Sequence, residues 1–218
     1  MAESVTNVGT STRGRRGLYT VSGATAVLAG VLFIIGGFYL IATLLQPSVV
    51  NSWLSLVGNN WLAKFFQLHA RINGVQLSQQ YSLNLLDLSI LLLVAITFLG
   101  LYAAVRADSK IWSIVALIQP FLGIVSYVAT QTVGRIAVIT AVLVMSLVML
   151  FRHTRFSKAT AYVGLPAGVL LIVGDVSTRH VFSNIIAVLV GIGYILLIMW
   201  LFLVGQRLVQ LGNLESGS

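Results

Sequence analysis

The residues of this chain that could do chemistry sit mainly at the ends of its apolar runs. Asp87 opens one run, Arg135 opens another, and Asp175 closes a third, with Arg179 and His180 just beyond it. Charges at membrane depth are costly and turn toward a partner or a wet cavity. Arg135 or Arg179, with Asp87 or Asp175 as counter-charge, could therefore hold an anion or a zwitterion. The plainer assignment is a set of salt bridges that pins the ends of neighbouring helices. Gln119 is a different kind of candidate, an amide inside an apolar run and directly before Pro120. Proline removes a backbone donor and frees the carbonyl one turn earlier, so Pro120 and Pro166 would leave acceptors at Ala116 and Tyr162. Counted from Lys110 and Lys158 at 1.5 Å per residue, both prolines lie about 12 to 15 Å into the bilayer. Helix breaks in matching positions are the best sequence pointer to a transporter site, and a simple kink in each helix is the plainer alternative.

Other chemistry finds no support in the residue types. The chain has no cysteine, which removes disulfides, thiolate catalysis and iron–sulfur or cysteine-type zinc sites. His69, His153 and His180 each lack a second ligand at the helical spacing a metal or haem site wants. No Gly-x-Ser-x-Gly elbow, phosphate loop or dinucleotide fingerprint is present, and Val21-Ser22-Gly23 has neither the flanking glycine nor a partner base. No metal, cofactor or enzymatic activity is expected. The formal charge of +8 comes from 13 Lys plus Arg against 5 Asp plus Glu. Charges so few cannot make a nucleic-acid surface, and their distribution bears on membrane orientation instead.

The elements that must position these groups are membrane spans. The 218 residues are 58% hydrophobic and only 8% charged, with a mean hydropathy of +0.98, where a soluble domain carries about 25% charged residues. Crossing about 30 Å of hydrocarbon takes about 20 apolar residues, and six charge-poor intervals serve as rulers: 18–45, 88–105, 111–134, 136–151, 159–174 and 181–206. The reading is an all-α polytopic membrane protein, a six-helix transmembrane domain over 18–211. With the amino terminus in the cytoplasm, Arg13, Arg15, Arg16, Arg106, Lys110, Arg152, Arg155, Lys158 and Arg207 are inside, against Lys64, Arg71, Arg135 and Arg179 outside. This bias places a multi-pass protein in the cell membrane with both termini cytoplasmic.

Between the first two spans, 47–83 carries Val50, Trp53, Leu54, Val57, Trp61, Phe65 and Phe66 at helical spacing, interrupted by Gly58-Asn59-Asn60. Two short helices at the outer interface suit it, as a cap on the bundle or, in a sharper reading, a lid over a cavity. Residues 1–17 are polar and basic and read as a mobile cytoplasmic tail whose arginines meet anionic lipid. Residues 212–218 read as a loose tail ending in a cloning remnant. Small residues at Ala26 and Gly30, Gly164 and Gly168, and Ala187 and Gly191 allow close helix approach, and Gly36-Gly37 with Gly191 and Gly193 suggest a tight seam between first and last spans. Arg106, Ser109, Lys110, Pro120 and Gly123 are echoed by Arg152, Ser157, Lys158, Pro166 and Gly168, too loosely spaced to establish a duplication.

Leu101-Tyr102 through Arg106 at one span end, and Trp200, Gly205, Arg207 and Leu208 closing the last span, resemble a family of bacterial six-helix integral membrane proteins known only as a domain of unknown function. The resemblance implies six helices and a long connection after the first. It carries over no catalytic or binding residue. Two functions follow from the residues themselves: a carrier or channel for a small solute or ion, with a polar outer vestibule, or a non-transporting accessory subunit of another membrane complex. The partners either would take are membrane lipids, with a second copy of the chain or a partner membrane protein.

Overall fold

The computed structural model describes residues 6–45, 85–129, 131–152, 154–177 and 184–214, with side chains described over 14–36, 88–127, 133–152, 154–174 and 188–214. These residues form six helices and no strands: α1 (Thr6–Leu45), α2 (Leu85–Val105), α3 (Lys110–Ala129), α4 (Gln131–Phe151), α5 (Lys158–Ser177) and α6 (Asn184–Leu214). In lipid every backbone polar group must be satisfied within its own segment, which is why apolar runs of this length become helices. α1, α2, α3, α4 and α6 are each long and apolar enough to cross a membrane. The apolar part of α5, Lys158–Gly174, is shorter. With its polar last turn the 20-residue helix still extends about 30 Å.

Consecutive helices pack in sequence, and α6 returns against α1, so the six close into an antiparallel ring. Its axis is filled, because α2 also touches α6. There Phe98 and Trp200 meet with ring centroids 6.1 Å apart, and both are fully buried. Outward-facing positions are apolar, as lipid requires; α3 shows this most clearly, with Ile111, Trp112, Val115, Ile118, Leu122 and Val125 exposed along one side. The seam between α1 and α6 is set by backbone approach. A Cβ on Gly23 would lie 2.8 Å from the Gly205 carbonyl, and one on Gly205 would lie 2.9 Å from the Gly23 carbonyl. The tight α1–α6 seam is thus made by Gly23 and Gly205 rather than by the expected glycines: Gly191 has open space where a side chain would be, and Gly193 faces Leu170 and Leu171 of α5.

All described basic turns fall at one end of the ring. Arg106 and Lys110 flank the α2–α3 turn, closed by Asp108 and Ser109 amides donating to the Val105 carbonyl at 2.9 and 3.1 Å. Arg152, Arg155 and Lys158 flank the α4–α5 turn, where Ser157 caps α5 through its Oγ to the Thr160 amide at 3.4 Å. Arg207 ties α6 to that turn, its Nε donating to the Arg155 carbonyl at 2.8 Å. Phe156, buried in the same turn, anchors it to the core.

Three expectations need correction. Residues 6–17 are helical rather than a loose tail, because a helix nucleated in the apolar span extends at one hydrogen bond per residue fixed. Residues 212–214 likewise continue α6, with Leu211 and Gly212 buried, and a Cβ on Gly212 would lie 2.9 Å from Thr20 Oγ1. The interval 111–134 holds the end of α3, at Ala129, and the start of α4, at Gln131, so Arg135 lies inside α4 rather than before it. A charge marks where hydrocarbon ends; it does not end a helix. The connection 47–83 lies outside the described residues.

Candidate functional site

Gln119 lies nine residues along α3 from Lys110, about 13 Å and so near the middle of the about 30 Å hydrocarbon layer. Its Oε1 is buried with no hydrogen-bond partner. Pro120, the next residue, is buried as well and has no N–H, so the carbonyl of fully buried Ala116 has no donor one turn on. Two acceptors therefore lie within one turn on a helix held between α2 and α4. A buried polar group without a partner costs about 1 to 3 kcal/mol, so this stretch of α3 is suited to a ligand or water that donates.

The second proline behaves differently. Pro166 is exposed on α5, and Tyr162, whose carbonyl it frees, is also exposed. The helix runs unbroken through Pro166, as α3 does through Pro120. The expected pair of matching breaks is thus a pair of continuous helices, one proline facing the interior and the other facing outward. A missing hydrogen bond in mid-helix is tolerated where the flanking turns remain packed.

Three of the charged candidates, Asp87, Arg135 and Asp175, lie at the end opposite the basic turns. Arg135 is an exposed residue in the second turn of α4. The backbone places Asp175 in the last turn of α5 and Asp87 in the first turn of α2, and Arg179 lies outside the described residues. Leu143 packs at Gly168, and Ser146 at Gly164. Equal steps outward along these antiparallel helices bring Arg135 level with the turn that holds Asp175. Gln119 does not join them. Gly134 abuts Gly123 and Tyr127, which sets Gln119 one to two turns deeper in the bundle than Arg135.

Sequence reasoning missed the interior polar groups nearer the basic end. Among the described residues the buried polar side chains, tyrosines and tryptophan apart, are all hydroxyls: Ser22, Thr97, Ser109, Ser113, Ser146 and Thr160. Ser22 Oγ on α1 donates to the Ile96 carbonyl of α2 at 2.9 Å. Thr25 and Thr97 hydroxyls bond across the same pair of helices at 3.2 Å, while Thr97 also donates to the Leu93 carbonyl at 2.9 Å. Ser113 Oγ, Ser146 Oγ and Trp200 Nε1 are buried without a partner. The usable signal was a hydroxyl set among apolar neighbours in the middle of a span, a residue type that serves there as interhelical glue.

The chain matches no protein-family profile, no curated protein and no solved structure, so the residues above are the ground on which its function is argued.

Proposed function

We propose that the chain is a carrier or channel for a small solute or ion, working in the cell membrane with both termini cytoplasmic. The observation that supports this reading is the unpartnered, buried Gln119 Oε1 at mid-depth, within one turn of the Ala116 carbonyl whose helical donor Pro120 removes. Packing alone would favour an apolar residue at that position. Asp87, Arg135, Asp175 and Arg179 form the vestibule at the end away from the basic turns. The arginines and lysines of the other end lie against anionic lipid headgroups on the cytoplasmic side.

A thermal-shift screen of the purified protein against inorganic ions, amino acids, lipids and hydrophobic cations tests the reading, since whatever binds the folded state stabilises it. The expected result is a stabilising solute whose effect Gln119→Leu removes, together with flux of that solute in proteoliposomes. No shift with any solute, alongside reproducible co-purification of one membrane protein, overturns it in favour of an accessory subunit. For orientation, the native chain has no cysteine, so single cysteines at Ser11, Ser78, Thr154 and Ser177 report directly. An impermeant thiol reagent added to intact cells should label the variants at Ser78 and Ser177. Labelling at Ser11 or Thr154 reverses the orientation.

A further inference from the structure

Trp112, Val115, Gln119, Leu122 and Ser126 follow one another at spacings of three and four residues, the a and d positions of two heptads, and so form one line about 21 Å long down α3. Trp112, Val115 and Leu122 are exposed, and Gln119 and Ser126 are half-buried. The line therefore runs along the outward side of the helix, with an amide at its centre. Hydrocarbon offers that amide no hydrogen bond. A helix turned toward lipid should be among the most apolar of its bundle, yet of the five helices long and apolar enough to cross a membrane α3 is both the least apolar and the least buried. Within its own chain the Gln119 Oε1 has no partner, so turning the amide to the outer side gives up no bond.

We propose that this line is the contact between two copies of the chain, paired through their Gln119 amides. A second copy is the occupant that satisfies three constraints at once. Copies inserted in one membrane share an orientation, so a two-fold axis along the membrane normal sets α3 parallel to its counterpart. In a parallel pair each a position meets the same a position, and a single polar residue there fixes register and oligomer state. An amide carries donors and an acceptor together and is complementary to itself, so each Gln119 Nε2 donates to the other Oε1. Trp112 and Ser126 recur one heptad to either side of Gln119, and Val115 and Leu122 fill the d positions between them. Lipid supplies no hydrophobic force between apolar faces, and hydrogen bonds across helices supply association in its place. The inference goes beyond the carrier reading and needs only that the chain spans a membrane; the pair and a solute would compete for the one Gln119 acceptor.

The chain has no cysteine, so single cysteines report contacts between copies. Full-length Val115→Cys and Leu122→Cys, treated with copper phenanthroline in the membranes of expressing cells, should give cross-linked dimers. Ile195→Cys, at an exposed position on α6, should stay monomeric under the same oxidant. In liposomes, Gln119→Leu on the Leu122→Cys background should lower the dimer association constant roughly three- to thirty-fold, read from the cross-linked fraction as lipid is added. Gln119→Asn, which keeps an amide, should recover part of that loss. In dilute detergent, where the copies are apart, Gln119→Leu leaves the Tm of the single chain unchanged. Equal cross-linking at Leu122 and Ile195 marks random collision and overturns the proposal. So do a chain that stays monomeric, a cross-link to a different membrane protein alone, and a dimer that Gln119→Leu leaves intact. The carrier reading fails separately: a Gln119-dependent pair with no solute response keeps the interface and removes transport, whereas a solute effect and flux from a monomeric chain do the reverse.

Discussion

Where α1, α2 and α6 meet, the hydroxyls of buried Ser22 and Thr97 and of half-buried Thr25 have partners on the adjacent helix or one turn back on their own. On the other side of the bundle, α3 and α4 carry Ser113 Oγ, Gln119 Oε1 and Ser146 Oγ with none, and Trp200 faces them from α6 with its Nε1 equally unmet. Apolar packing is continuous across both regions, so the difference lies in what the polar atoms do. Lipid offers no hydrophobic force to draw helices together, and close packing with interhelical hydrogen bonds supplies the association. The first region has both, a glycine-to-glycine seam and a hydroxyl network. The second carries polar groups that weaken it in isolation.

The sharpest way to break this comparison is at the seam. Gly23→Leu forces α1 off the Gly205 carbonyl and should cost roughly 1 to 3 kcal/mol, read as a fall in Tm in detergent. Gly191→Leu on the same helix pair, where nothing lies within 4 Å, should leave Tm unchanged. Equal losses in the two variants would mean that backbone approach does not hold α1 to α6.

A smaller effect separates the hydroxyls. Thr97→Val keeps the shape and removes the bonds to Thr25 and Leu93, at about 0.6 kcal/mol and at most about 1.7 kcal/mol on the scale of interhelical bonds in membranes. Ser113→Ala and Gln119→Leu remove unmet polar atoms and should be neutral or stabilising in the absence of solute. If Gln119→Leu loses as much Tm as Thr97→Val, the amide has a partner and the contrast between the regions fails.

The smallest expected effect concerns the charged end of α4 and α5, which extends the comparison from the sides of the bundle to its ends. Arg135 is exposed there, so its pairing with Asp175 is worth no more than about 1 kcal/mol. Asp175→Asn should lower Tm slightly, and Asp175→Arg combined with Arg135→Asp should recover part of the loss. Identical Tm values for single and double variants would leave Arg135 and Asp175 energetically uncoupled.

Read along the chain, hydropathy alone determined that this is an all-helical membrane protein with six apolar helices and basic residues gathered at their ends. That much is local: whether a segment prefers hydrocarbon to water is a sum over its own side chains, and its backbone must then close on itself as a helix. Helix limits were less legible, since Arg135 and Arg207 fall within helices that continue past them on both sides. The sequence also pointed to Gln119 and Pro120, but gave Pro166 the same weight, although it faces outward. Thr97 and Ser146 carried no mark of their own, and nothing in the sequence marked Ser22 or Trp200 as an interior polar group. Whether a hydroxyl is partnered or left over depends on the rotation and register of two helices, and glycine contacts such as Gly23 with Gly205 and Gly164 with Ser146 and Trp200 set both. Those contacts join positions far apart in the chain. Lipid treats every apolar face alike, so only the assembled ring decides which face turns inward and which polar atoms meet there.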